Sequence, residues 1–131
     1  MVNVGILGAF GGRMDHLIAN IGLLFFMEEL GMHGLLADPA NRVRLIESGH
    51  RITAEERFGT YVSFFAPGEP VAGLTLTGFK YPLKDRTITF RDSGLTVSNE
   101  FTNEPAKVEY KSGKLLMIQS GDARVIPDEE E

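Results

Sequence analysis

The hydrophobic pattern changes its period near residue 31. The apolar run 2–7 (VNVGIL) predicts a buried strand, and the glycine-rich turn 8–13 (GAFGGR) follows it. From Asp15 onward apolar residues recur at helical spacing, and Gly31 is a natural helix stop. The residues on this helical pattern are Leu17, Ile18, Ile21, Leu24 and Phe25. Strand, turn and helix together predict one β-α step of a parallel α/β sheet.

This helix carries apolar residues on its other face too, at Ala19, Leu23 and Phe26. A helix that is apolar nearly all round is usually covered on more than one side. A parallel strand also needs neighbours on its edges. We therefore expect the unit 1–31 either to pack onto the rest of the chain or to belong to a sheet whose other strands are not in this sequence.

Beyond residue 31 the pattern predicts short strands separated by turns. The predicted strands are 33–38, 42–47, 61–65, 71–77, 87–90, 95–99, 106–111 and 114–119. Alternation puts Val71 on the opposite side from Leu74 and Leu76, and it puts Ile88 and Phe90 inward. The pair Ser112-Gly113 predicts a tight hairpin between the last two strands.

Frequent turns without intervening helices predict a mainly β fold. We expect an antiparallel β-sandwich or jelly-roll-like domain over 32–127, preceded by the single β-α unit of 1–31 and followed by an acidic tail at 128–131.

Composition and charge exclude several classes of protein. The 131 residues are 43% hydrophobic and include no cysteine, so disulfides and thiolate metal sites are impossible. The net charge is −5, of which residues 128–131 supply four negative charges, and no basic stripe suits a nucleic acid. The longest apolar stretch, 17–27, is too short to span a bilayer, and no signal-type segment precedes it. We expect a cytoplasmic protein that binds neither nucleic acid nor membrane.

The glycine turn is the first candidate for chemistry. Gly11 and Gly12 allow close backbone approach, and amides at a helix N-terminus attract an anion. Arg13 could add a bidentate phosphate contact, and Asp15 could be a Mg²⁺ ligand, because this ion takes one or two carboxylates plus substrate oxygens. The simpler alternative is a plain strand-to-helix turn in which the Asp15 carboxylate stabilises the helix by interacting with its dipole.

A second candidate combines the segments 78–83 and 93–100. They bring together an aromatic ring at Tyr81, hydroxyls such as that of Ser98, and the amide of Asn99. Such a set could stack a flat heterocycle and hydrogen-bond to its edge. The alternative is a tyrosine at a strand end beside hydroxyls on a solvated face.

The sequence resembles the C-terminal part of bacterial thiamine pyrophosphokinases almost from end to end. The similar motifs are GAFGGRMDH at 8–16, AN at 19–20, GLT at 73–75, GFKYPL at 78–83, VSNEF at 97–101 and GKLL at 113–116. The resemblance implies transfer of the terminal diphosphate of ATP to the hydroxyl of thiamine, giving thiamine diphosphate and AMP. The unit 1–31 would then be the remnant of a Rossmann-like α/β catalytic domain.

The same resemblance implies roles for individual residues. Asp15 and Arg13 would be catalytic residues, with Asp15 at Mg²⁺ and Arg13 by the phosphates, and Gly11 and Gly12 would help Arg13 to bind ATP. Tyr81, Ser98 and Asn99 would bind thiamine at the interface of a homodimer. The face of the Tyr81 ring suits a cationic thiazolium.

The chain departs from the family at its beginning. Family members carry an earlier half with two aspartate-rich motifs, and neither motif occurs here. Phosphoryl-type transfer depends on metals and positioned charges, so we expect this chain alone to be inactive or nearly so. The alternatives are a non-catalytic module that binds thiamine or a similar heterocycle, and a dimerisation domain.

Overall fold

A computed structural model describes residues 2–7 and 13–121 of the chain. In that part the strands are β1 (Val2–Leu7), β2 (Met32–Asp38), β3 (Asn41–Ile46), β4 (His50–Ile52), β5 (Tyr61–Phe65), β6 (Val71–Thr77), β7 (Leu83–Ile88), β8 (Ala106–Glu109) and β9 (Leu115–Ser120). The helices are α1 (Met14–Glu29), the 3₁₀ turn η1 (Phe90–Asp92) and the short α2 (Ser93–Thr96). None of these helices is both long and apolar enough to cross a bilayer.

Within the described residues, the first sheet has five strands in the order β1-β2-β3-β9-β5. β1 and β2 are parallel, with α1 connecting them, so the predicted β-α step is present and joins the same sheet as the later strands. The other neighbours in this sheet are antiparallel. Asp38 pairs with Asn41 across a two-residue turn between β2 and β3, so β3 begins one residue earlier than predicted.

The second sheet has four antiparallel strands in the order β4-β8-β6-β7. A core cluster joins it to the first sheet and includes Phe64, Leu74, Ile88, Val108 and Met117. The two sheets therefore form the β-sandwich that the alternating pattern predicts.

Helix α1 covers the other face of the five-stranded sheet. Leu24 is only 1% exposed and packs with Leu36, Val43 and Leu116. Leu116 lies between Leu115 and Met117 of the sandwich core, and successive side chains of a strand point to opposite faces. At Gly34 a Cβ atom would lie 2.7 Å from Leu24 Cδ2, so the glycine allows the helix to approach β2 closely. The helix ends at Glu29, and Gly31 follows two residues later with a φ of +78° that suits glycine.

Most of the predicted elements are correct in type. The strand predicted at 87–90 is only half correct, because β7 ends at Ile88 and Phe90 begins η1, and β4 was not predicted. Residues 95–99 do not form a strand, because Ser93–Thr96 is helical and Asn99 makes an isolated bridge. Phe90 is exposed in η1 rather than inward.

Val71 is buried on the same side as Leu74 and Leu76, contrary to simple alternation. The pairing of β6 with β7 shifts register between Val71 and Leu74, and Gly73 has a φ of +70°. This irregularity changes the phase of the strand. The predicted hairpin at Ser112-Gly113 is also wrong, because β8 lies in the second sheet and β9 in the first, so this turn crosses between sheets.

The sheet pairing bears on the predicted domain division without testing it. Residues on both sides of the predicted boundary at 31/32 share one sheet through β1 and β2. The boundary stays a prediction. The acidic tail at 128–131 lies outside the described residues.

Candidate functional site

The loop between β6 and β7 carries Tyr81, and it is fastened to the segment that follows α2. The backbone N–H of Lys80 donates to the carbonyl of Glu100 at 2.9 Å. Phe79 forms an isolated bridge with Phe101, and its buried ring makes an edge contact with Phe64 in the sandwich core. The loop therefore has a fixed base beneath Tyr81.

Hydrogen bonds fasten the segment 96–99 to β5. The Thr96 hydroxyl donates to the carbonyl of Phe64, and the N–H of Ser98 donates to Ser63 Oγ at 2.8 Å. Asn99 and Val62 exchange backbone hydrogen bonds of 2.9 and 2.8 Å. Ser98 has a φ of +58°, in the left-handed region, so these bonds hold a backbone conformation that serine seldom adopts.

The side chain of Asn99 connects this segment to Tyr81. Its Oδ1 accepts from the N–H of Tyr81 at 2.9 Å, and its Nδ2 donates to the carbonyl of Tyr81 at 2.8 Å. Asn99 is 3% exposed, whereas Tyr81 is 55% exposed. The Tyr81 ring is therefore exposed to solvent, while the backbone of Tyr81 is fixed by its two hydrogen bonds to the Asn99 side chain.

Charged groups lie beside the tyrosine ring. Lys80 Nζ lies 5.5 Å from the centroid of the Tyr81 ring and 3.7 Å from Glu100 Oε2. The Glu100 carboxylate, followed by Tyr81, raises the pKa of Lys80 above its ordinary value. A cation is thus already placed near the electron-rich face of this ring.

Large apolar side chains are exposed on the polypeptide that leads to Ser98. Phe90, Leu95 and Val97 all have large exposed fractions, and they occupy η1, α2 and the residue after α2. Such side chains so close in sequence are unusual on a solvated surface and suit a ligand or a partner surface.

The other candidate residues lie at the start of α1. Arg13 is the N-cap residue, and its Nη2 lies 2.6 Å from Asp15 Oδ2. Asp15 Oδ1 accepts from the N–H of His16 at 2.8 Å. Both side chains are more than half exposed, so a ligand could reach them.

Comparison with known families identifies the β part of the chain. Residues 49–115 match the family model described as "Thiamin pyrophosphokinase, vitamin B1 binding domain". The chain belongs to this thiamin pyrophosphokinase family. The matched range contains Tyr81, Ser98 and Asn99.

Individual thiamine pyrophosphokinases resemble the chain over most of its length. The thiamine pyrophosphokinase of Bacillus subtilis is 35% identical over 119 residues, which cover 91% of this chain and 55% of that protein. The chain spans about half the length of this curated relative.

Solved structures of the family have the same fold. The crystal structure of the Bacillus subtilis thiamine pyrophosphokinase superimposes with a TM-score of 0.84 at 35% identity, covering 94% of this chain and 57% of that one. The thiamin pyrophosphokinase from Geobacillus thermodenitrificans gives a TM-score of 0.76 at 33% identity, covering 95% of this chain and 56% of that one. The mainly β fold with one preceding β-α unit is thereby confirmed.

The structure brings the predicted residues together in two groups. Tyr81 and Asn99 are hydrogen-bonded and Ser98 adjoins them, while Arg13 and Asp15 form an ion pair of their own. Gly11 and Gly12 lie outside the described residues. Within 2–7 and 13–121 no group of three or more His, Cys, Asp or Glu side chains is placed to hold a metal ion. The roles given to these residues as members of a thiamin pyrophosphokinase stay predictions.

Sequence reasoning missed Ser63 and did not single out Thr96. Both side chains are buried. The Thr96 hydroxyl donates to the carbonyl of Phe64 on β5, and Ser63 Oγ on the same strand accepts from the N–H of Ser98. A hydroxyl in the middle of the otherwise apolar strand Tyr61–Phe65 was the available signal for Ser63, because a buried polar side chain requires a partner.

Proposed function

We propose that this chain is the thiamine-binding C-terminal part of a thiamine pyrophosphokinase. The enzyme would transfer the diphosphate of ATP to the thiamine hydroxyl and release AMP, in the cytoplasm. The observation that carries the proposal is the exposed Tyr81 ring, held by Asn99 beside Ser98 inside the range that matches the family. An aromatic face that already attracts the Lys80 cation also suits the positive thiazolium of thiamine.

Titration of thiamine by calorimetry tests this proposal. Tyr81→Phe keeps the ring and should bind thiamine like the unsubstituted chain. Tyr81→Leu keeps much of the volume but loses the aromatic face, and its affinity should fall roughly 2- to 30-fold, equal to ~0.5–2 kcal/mol. Equal affinities of the two variants, or no binding at millimolar thiamine with the dimer intact, would count against Tyr81 as part of the site.

We further propose that a second copy of the chain completes the thiamine site. The exposed Phe90, Leu95 and Val97 lie next to Ser98 in sequence, and covering them with a symmetric partner would remove apolar surface from water. Leu95→Glu should shift the chain to monomer in sedimentation velocity and weaken thiamine binding. Leu30→Glu, at an exposed leucine beyond α1, is the matched control and should leave the dimer intact. A Leu95→Glu variant that stays dimeric would place the interface elsewhere.

We propose that the ATP phosphates bind at the start of α1. Asp15 fits Mg²⁺ as one exposed carboxylate beside Arg13, because this ion commonly takes one or two carboxylates plus phosphate oxygens. When bound, Mg²⁺ would neutralise charge on the ATP phosphates. Arg13 would orient the same phosphates by bidentate hydrogen bonds, and Gly11 and Gly12 would supply backbone amides.

We propose that the chain by itself is incomplete as an enzyme. It spans about half of its Bacillus relative, and α1 leaves Ile18 and Phe26 exposed on one face. Among the described strands, β1 lies at one of the two edges of its sheet. A further α/β layer that paired with β1 and covered this helix face would bury both features.

An assay with ATP, thiamine and Mg²⁺ tests this part of the proposal. The chain alone should give little or no AMP, and a form extended by an aspartate-rich half should be active. In the extended form Asp15→Asn should lower turnover strongly, whereas Asp85→Asn, at another exposed carboxylate paired with a cation, should not. Normal turnover of Asp15→Asn would remove Asp15 from the metal site.

A further inference from the structure

Buried polar side chains are concentrated beneath the candidate thiamine site. The buried polar residues of the described part are Ser63, Thr96, Asn99 and Gln119. The first three take part in the hydrogen bonds that hold the segment 96–99 on β5 and join it to Tyr81. Burying a polar group is unfavourable unless it is hydrogen-bonded. Each of these bonds therefore offsets the desolvation penalty of the polar groups that it joins.

The hydrogen-bonding capacity of the Asn99 side chain is almost fully used inside the protein. Oδ1 accepts from the N–H groups of Tyr81 and Glu100, both at 2.9 Å, which occupies both lone pairs. Nδ2 donates one of its hydrogens to the carbonyl of Tyr81 at 2.8 Å. With 3% of the residue exposed, little of this amide is available to a ligand.

Ser98 has the opposite arrangement. Its backbone N–H is held by Ser63 Oγ, whereas the residue itself is exposed, so its hydroxyl is open to a ligand. The Tyr81 side chain is likewise exposed, while the Tyr81 backbone is hydrogen-bonded to Asn99. The Tyr81 ring and the Ser98 hydroxyl are therefore linked through Asn99. This residue directly follows Ser98 in sequence, and its side chain binds both the backbone N–H and the backbone carbonyl of Tyr81.

We infer that Asn99 is a positioning residue that fixes the Tyr81 ring relative to the Ser98 hydroxyl, and that it does not itself contact thiamine. This inference rests on the proposed thiamine site. A rigid pair of groups binds a rigid heterocycle more tightly than a mobile pair, because less conformational freedom is lost on binding. Asn99 then contributes to affinity only through Tyr81 and Ser98.

Hydrogen exchange tests the positioning role without any ligand. In the full 131-residue chain, Asn99→Ala should speed exchange of the Tyr81 amide by about 10-fold or more, because that N–H loses its buried acceptor. Gln119→Ala is the matched control, since it removes a buried amide that serves Phe58 and Glu56 instead, and it should leave the Tyr81 amide protected. An unchanged Tyr81 amide in Asn99→Ala would overturn the inference.

A double-mutant cycle on thiamine affinity separates positioning from direct contact. If Asn99 acts through Tyr81, Asn99→Ala should weaken binding about 10-fold when Tyr81 is present and much less in a Tyr81→Leu background. Equal losses in the two backgrounds would show that Asn99 does not act through Tyr81, and this result would overturn the inference. Asn99→Asp keeps the acceptor oxygen, so it should retain more Tyr81 protection than Asn99→Ala.

The two measurements also separate this inference from the proposed function. Tyr81→Leu binding thiamine as tightly as Tyr81→Phe contradicts the site itself. Loss of Tyr81 amide protection in Asn99→Ala, but not in Gln119→Ala, supports the positioning role whether or not Tyr81 proves to bind thiamine. Should Asn99→Ala fail to fold, Asn99→Ser, which also removes the side-chain amide that binds Tyr81, supplies both readouts.

Discussion

Lys80 Nζ lies 5.5 Å from the centroid of the Tyr81 ring, near the face that a cationic ligand would use. Glu100 pairs with the same lysine at 3.7 Å and raises its pKa, so Lys80 stays charged through the neutral range. A ligand cation stacked on that face would be repelled by Lys80 or would have to displace it. The site as it stands therefore contains an internal competitor for the proposed ligand.

The first prediction removes this competitor. Lys80→Met should tighten binding of thiamine roughly 2- to 5-fold, corresponding to ~0.5–1 kcal/mol for an exposed cation–π contact, since the ring face and Glu100 both become available. Lys107→Met serves as the control, because Lys107 makes a comparable ion pair with Glu109 elsewhere. Calorimetric titration of the three proteins measures the effect. Weaker binding by Lys80→Met would mean that this lysine assists the ligand instead.

The second prediction concerns the glycine that begins the Tyr81 loop. Gly78 has a φ of +84°, and an added Cβ would lie 1.9 Å from the carbonyl oxygen of Pro105. Gly78→Ala should therefore destabilise the chain by more than the ~1–3 kcal/mol of backbone strain alone. Gly94→Ala lies in α2 with nothing within 4 Å of its added Cβ and should be neutral or stabilising by up to ~1 kcal/mol.

Urea denaturation gives the order of these glycine variants. Gly31→Ala belongs between the two, since its φ is +78° but no atom lies within 4 Å of the added Cβ. A Gly78→Ala variant as stable as Gly31→Ala would mean that the backbone near Pro105 shifts without cost.

The third prediction tests the packing of α1 on the sheet. Leu24→Ala should reduce the free energy of unfolding by ~2–5 kcal/mol, because Leu24 is buried against β2 and β3. Ile18→Ala changes the same helix at a residue that is 64% exposed, and it should alter stability by no more than about 0.5 kcal/mol. Both values come from urea denaturation. Similar small effects of the two variants would show that α1 is not held on this sheet in solution.

The fourth prediction is alkaline destabilisation through Tyr110. Its hydroxyl donates to the carbonyl of Ile46 at 2.6 Å, and burial raises its pKa from 10.0 to about 12. Between these values the unfolded chain loses the phenolic proton while the folded chain keeps it, so stability should fall as pH rises from 10 to about 12.

Absorbance titration of the phenolate checks this assignment. Tyr110→Phe should remove the component that titrates near pH 12 and flatten the fall in stability, whereas Tyr61→Phe should leave both in place. Retention of the late component in Tyr110→Phe would assign it to another group.

Local pattern predicted most of the elements because the residues that form them carry their own signals. The strand Tyr61–Phe65 follows from its apolar run, and the end of α1 shortly before Gly31 follows from the glycine at that position. The strand predicted at 95–99 is wrong, although Val97 and Thr96 are residue types with high strand propensity. Tertiary hydrogen bonds from Thr96 to Phe64 and from Ser98 to Ser63 favour a helical turn there instead.

Motif recognition placed Tyr81, Ser98 and Asn99 in one candidate site, but it gave them the same kind of role. Only the fold distinguishes them, because exposure and hydrogen-bond direction depend on what surrounds each residue. The exposed Tyr81 ring and the buried Asn99 amide differ in a way that sequence spacing does not encode.

The amino-acid sequence alone determined the family resemblance and the mainly β class, since each depends on patterns of neighbouring residues. The tertiary structure decided that β1 joins the same sheet as β2, that the turn at Ser112-Gly113 crosses between sheets, and that Ser63 and Asn99 support the site from within. These features depend on contacts between distant residues, such as Asn99 with Val62 and Tyr81, and local propensity carries no information about such contacts.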